Sequence, residues 1–171
     1  MLERGRVLVA CVGNILRGDD GFGPAVERHL TSIDGLPAGV DVIETGIGGM
    51  AIVQQLMLGY ETLIVVDAVD QGAPPGTVLV LEPAIPDPTS IDTDQWREQF
   101  SNLHLAEPSR VFLLARALGV LPERVHVVGC QPLSCEDFSQ QLSPPVQSAV
   151  ELAARRVLEL ARQYAPAAGT R

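Results

Sequence analysis

The sequence predicts an α/β fold: a three-layer sandwich in which a mainly parallel, twisted five-stranded sheet carries helices on both faces. Three observations predict it. Short apolar runs alternate with stretches of helical period, the pattern that builds parallel sheets from strand–helix–strand units. Most of the runs are continuous rather than alternating apolar with polar, as in strands buried on both faces. The core must also be aliphatic, because 46% of the 171 residues are hydrophobic while only 4% are aromatic.

Arg6 to Val12, reading RVLVACV, is the first buried strand, closed by Gly13-Asn14. Gly21-Phe22-Gly23-Pro24 opens a helix, and Pro24 suits its first turn, where the missing N–H would be unpaired anyway. Val26 and Leu30 share one face of it. Val40 to Thr45 is the second strand, broken by Gly46 to Gly49, and Met50 to Leu58 is a short helix. Thr62 to Val66 is a third strand ending on Asp67, and Thr77 to Glu82 a fourth. From Glu82 to Leu103, Pro, Asp and Ser crowd together without a period, which predicts a long loop of the functional kind. Glu107 to Leu118 is helical, with Val111, Leu114, Ala115 and Leu118 on one stripe. Arg124 to Val128 is the fifth strand, and Gln131 to Leu142 a second irregular stretch. Ser143 is an N-cap, with Pro144 at the first position of the last helix. The whole chain, 1–171, reads as one domain, with 166–171 as a frayed tail.

The net charge of -9 would repel a phosphate backbone and argues against nucleic acid as a partner. No apolar stretch approaches the ~20 residues that span a bilayer, and the N-terminus lacks a signal-peptide layout. The expectation is a cytoplasmic protein with no membrane partner. Cys11, Cys130 and Cys135 form no CxxC pair and are expected to be buried or inert thiols.

In open parallel sheets the ligand lies beyond the carboxyl ends of the strands. Asp19 and Asp20 fall there, after the first strand; Glu44 closes the second, and Asp67 ends the third. Strand propensity does not explain an Asp directly after TLIVV. His104, at the end of the long irregular segment, can fold over the same edge. Two carboxylates and an imidazole suit a divalent transition metal, nickel or zinc among them, or acid–base work. Plainer roles stand beside this. Asp19 is expected to cap the helix that follows it. Asp67 can pair with Arg17, and His104 can be an ordinary loop residue. His29 and His126 read as structural, and Cys130 has no His placed to activate it. The loop CVGNILRGDDGFG follows a strand, yet it lacks the G-x-G-x-x-G order, and its two Asp residues would repel a pyrophosphate.

GNILRGDDGFGPAV resembles the opening motif of the hydrogenase maturation endopeptidases, and LIVVDAV resembles their third-strand segment. NLHLAEPSRVFLLARALG carries a His just before a helix, as they do. VVGCQP followed by LSPPVQSAVELAARRVLEL is similar to their last strand and final helix. The resemblance runs from Arg6 to Gln163, in the same order and spacing. It implies a twisted five-stranded sheet between helices, with a metal-contacting set at Asp20, Asp67 and His104. It also implies that Gly46, Gly48 and Gly49 lie where an extended peptide substrate approaches. The implied activity is an endopeptidase that removes the C-terminal extension of a nickel-loaded large-subunit precursor of a nickel–iron hydrogenase. Asp20 and Asp67 are then the catalytic candidates. Nickel is supplied by that precursor rather than held tightly by the free protein. Two rivals remain at this point: a phosphatase-like hydrolase with its own metal, and a nickel-checking chaperone that binds the precursor without cutting it.

Overall fold

The computed structural model describes residues 5–101 and 108–167. Five strands, β1 (Val7–Val12), β2 (Val40–Gly46), β3 (Thr62–Ala68), β4 (Val78–Leu81) and β5 (Arg124–Cys130), form one sheet in the order β2-β1-β3-β5-β4. Every pairing is parallel except that of β4 with β5, which is antiparallel and places β4 at an edge. The helices are α1 (Phe22–Ser32), α2 (Met50–Leu56), α3 (Thr93–Ser101), α4 (Pro108–Ala117) and α5 (Pro144–Tyr164).

The continuous apolar reading of β1 has a simple cause. Val7, Val9 and Cys11 pack into a core shared with α1 and α5, while Leu8, Ala10 and Val12 pack into a second core shared with α2 and α4. Both faces of the strand are therefore dry, and neither parity can be polar. The same division holds for β3, where Ile64 and Val66 face α1 and α5, and Leu63 and Val65 face the other layer.

Two expectations about the elements are corrected. The segment 82–103 is not an unbroken loop: Pro88–Ser90 forms a 3-10 turn and α3 follows it. The side chain of Asp87 caps that turn by accepting from the Thr89 N–H at 2.8 Å, a local signal hidden among the prolines. The strands β3 and β5 also run on past Val66 and Val128, because their ladder continues to the pair Ala68–Cys130, so Asp67 and Cys130 stand within the last two residues of their strands.

The chain leaves β1 for β2 on one side and then crosses to β3 on the other. The carboxyl ends of β1 and β3 thus flank the point where the strand order reverses, the usual crevice for a ligand in such sheets. Among the described residues no helix is long and apolar enough to cross a membrane.

Candidate active site

Two carboxylates meet at this crevice. Asp67 is the penultimate residue of β3 and is 7% exposed. Asp20 lies on a 3-10 turn, Gly18–Gly21, between β1 and α1. Its Oδ2 accepts from the Asn14 N–H at 3.0 Å, and Asn14 Oδ1 in turn accepts from the Leu16 N–H at 2.9 Å. Gly13 makes this fold-back possible. It holds φ at +146°, and a Cβ there would collide with the Asp20 carbonyl oxygen. Gly23 has a matching role: a Cβ on it would meet the carbonyl oxygens of Val12 and Val66, so only glycine lets the start of α1 settle on both strand ends. Gly13→Ala should therefore displace Asp20 and cost about 1–3 kcal/mol of backbone strain. Denaturant midpoints would read the second effect and precursor processing the first.

Burial pushes the Asp67 carboxyl up to about 8, and the negative charge of Asp20 pushes in the same direction, while the Ala68 N–H works against both. Burial also raises Asp20, opposed by the Asn14 N–H and the Arg17 guanidinium. The charge of Arg17 thus bears on Asp20, whereas the state of Asp67 is set by burial and by its acidic neighbour. Both carboxyls are thus raised by burial, Asp67 further than Asp20 because the charge of Asp20 adds to its burial.

The expected capping role of Asp19 is corrected. Gly21 is the N-cap of α1, and no side chain caps that helix. Asp19, 1% exposed, reaches across the molecule instead. Its Oδ2 accepts from the N–H groups of Leu133 and Ser134 at 2.7 and 3.2 Å and from the Ser143 hydroxyl at 2.8 Å, while Oδ1 accepts from the Ser143 N–H at 2.6 Å. Burial raises the Asp19 carboxyl, but these bonds together outweigh it and hold it below the ordinary range. Ser143 does occupy the N-cap position of α5, with no side-chain cap bond, because its hydroxyl serves Asp19. The clamp fixes the 131–143 segment beside Asp20. Nothing in the sequence signals it, since its partners are more than a hundred residues away.

His104, the third expected ligand, lies outside the described residues. Among those described, no three His, Cys, Asp or Glu side chains stand together as a metal site. Gly46 ends β2 with φ at +55°, and its carbonyl accepts from the Gly13 N–H at 3.0 Å, tying the two loops together. Gly48 is exposed, whereas Gly49 is buried at the N-cap of α2. Glu44 sits within β2, paired with Cys11. Burial raises the thiols of Cys11 and Cys130, the latter to about 11, which keeps both protonated and inert. Cys135 is partly buried, and its thiol is raised to about 11 by burial and then by the charges of Asp20, Asp19 and Asp67. His126 is structural: it is buried on β5 and stacks on Tyr164 at 5.3 Å. A cavity of about 290 Å³ lined by His126, Glu82 and Arg124 opens at the amino end of β5, at the edge of the sheet opposite the acidic pair.

Comparison with known proteins agrees with this architecture. A family model described as hydrogenase maturation protease matches residues 24–160. The hydrogenase expression/formation protein HupD of Rhizobium leguminosarum bv. viciae is 32% identical over 97% of this chain and 79% of its own length. HupD of Rhodobacter capsulatus is 33% identical over 91% of this chain and 71% of its own. Among solved structures, the hydrogenase maturating endopeptidase HybD from E. coli superimposes with a TM-score of 0.74 at 28% identity, covering 92% of this chain and 93% of that one. A hydrogenase 2 maturation peptidase from a Thaumarchaeota archaeon gives 0.64 at 37% identity, covering 91% and 97%.

Proposed function

The chain belongs to the hydrogenase maturation protease family, a family of peptidases, and from that premise we propose that Asp20 and Asp67 cut one peptide bond near the C-terminus of a nickel-loaded hydrogenase large-subunit precursor in the cytoplasm. The observation that carries the assignment of residues is the buried Asp67, its carboxyl raised by burial and by the charge of Asp20, at the point where the strand order reverses. Asp20, the less buried of the two, takes the proton of the attacking water. Asp67 holds its own proton up to about pH 8 and can pass it to the leaving amine. The nickel arrives as part of the substrate. Asp20, Asp67 and His104 supply a carboxylate and imidazole set chemically suited to contacting it, and Gly46, Gly48 and Gly49 form the approach for the extended peptide. A metal already held by the substrate needs fewer ligands from the protease, which makes cutting conditional on metal insertion.

The test incubates purified protein, stripped of metal, with nickel-loaded and with nickel-free precursor and follows the precursor mass. Shortening of the loaded form alone is expected. His104→Ala should retain the fold and lose most of this processing. Binding without shortening would support the chaperone reading, and hydrolysis of phosphate esters by a metal-loaded form would support the phosphatase-like one.

A further inference from the structure

Three loops surround the acidic pair, and main-chain hydrogen bonds join them into one rim. Gly13 N–H donates to Gly46 at 3.0 Å, Gly18 N–H donates to Ser139 at 2.8 Å, and Ser139 N–H returns to Leu16 at 3.0 Å. Among the described residues eleven large apolar side chains are exposed, and six of them sit on this rim: Ile15, Leu16, Ile47, Met50, Leu133 and Phe138. Phe138 is 86% exposed, Leu133 62% and Ile47 53%. Leu133 also borders a cavity of about 230 Å³ beside Asp19 and Asp137. Scattered exposed apolar residues need no explanation, but six gathered around one crevice do.

We propose that this rim is the docking surface for the folded body of the precursor, an apolar protein patch that adjoins the scissile segment. The proposal rests on the function proposed above, because the rim is continuous with the site that function assigns. At about 200 Å² for a large side chain, these exposures present roughly 650 Å² of apolar surface, slightly more than the largest patch a monomer ordinarily exposes. It exceeds the apolar share, somewhat over half, of the ~800 Å² per partner that a standard protein–protein interface buries. A second copy of this chain seated here would cover the crevice that holds Asp20 and Asp67, whereas a substrate protein must reach that crevice to be cut, so the rim fits the precursor better than a permanent dimer. Glu136 and Asp137 are exposed between Leu133 and Phe138, so the matching patch is apolar and edged by basic groups.

The experiment measures binding of purified nickel-loaded precursor, and its steady-state processing, with the wild type, Phe138→Glu, Leu133→Glu and Met57→Glu. Met57 is 68% exposed at the far end of α2, toward the opposite edge of the sheet, and serves as the control. The two rim variants should weaken binding 10- to 100-fold and raise KM in step, with kcat at saturation unchanged, while Met57→Glu behaves as the wild type. Equal binding by all four proteins would overturn the proposal, as would equal weakening by Met57→Glu. Sedimentation showing a wild-type dimer that Phe138→Glu dissociates would overturn it too, by making a second copy the occupant. The two ideas fail separately. A wild type that binds through the rim but never shortens the precursor sinks only the protease assignment at Asp20 and Asp67. A wild type that cuts normally alongside unaffected rim variants sinks only the docking surface.

Discussion

Asp67→Asn is expected to lose about 10³-fold in precursor processing and, in the same protein, to gain stability at alkaline pH. Both effects come from one fact: the folded protein holds this carboxyl at about 8 against an ordinary 3.8. A carboxyl whose pKa is raised on folding binds its proton more tightly in the native state. Its contribution to stability is therefore complete below about pH 4 and is lost as pH rises through about 8. Above that, the wild type must keep a buried charge beside Asp20, whereas asparagine fills the same space without one. The variant should thus be more stable than the wild type by a few kcal/mol at pH 8.5, with the difference vanishing near pH 4. Denaturant midpoints at the two pH values, in the presence of a chelator, read the stability, and the precursor mass reads the processing. A stability difference that does not change with pH would show that Asp67 is not held protonated by the fold. Processing within tenfold of wild type would remove its carboxyl from the reaction. The strain is of the kind active sites keep, where function holds a group that stability alone would replace.

Asp19→Ala should be among the most destabilising single changes at the polar edge of the molecule, by about 3–5 kcal/mol. Alanine leaves the Leu133, Ser134 and Ser143 N–H groups and the Ser143 hydroxyl without their acceptor. The loss includes both the start of α5 and the 131–143 segment. The linkage runs opposite to that of Asp67. Asp19 has a depressed pKa, so its contribution is present above the ordinary carboxylate range and is lost as pH falls through its lowered folded value. Hydrogen exchange should show the 131–143 amides opening in the variant while those of β1 and β3 stay protected. Asp19→Asn should recover only part of the stability, since an amide keeps one acceptor and places an NH₂ against donors. A loss under 1 kcal/mol would mean that solvent or a neighbouring group takes over the four donors.

Residue types at strand ends pointed to Asp20 and Asp67 because position along a parallel sheet is a local property, readable from where an apolar run stops. The same locality explains why β1, β3 and β5 were legible: strands buried on both faces leave unbroken aliphatic runs. It also explains two misreadings. Segment 82–103 hides a turn and a helix, because α3 has only two large apolar residues, Trp96 and Phe100, and its other signals are polar caps among prolines. Asp19 beside Asp20 looked like a helix cap, since only its nearest neighbours in sequence could be weighed.

By itself the sequence determined the α/β class, the order of the strands and of the helices outside 82–103, the aliphatic core and the edge of the sheet on which the acidic residues lie. Only the tertiary structure decided that β4 runs antiparallel at the edge and that Asp19 clamps the segment before α5. It alone decided that burial and the charge of Asp20 raise the Asp67 carboxyl to about 8. These depend on hydrogen bonds, burial and charges contributed by residues far apart in the chain, which meet only after it has closed on itself.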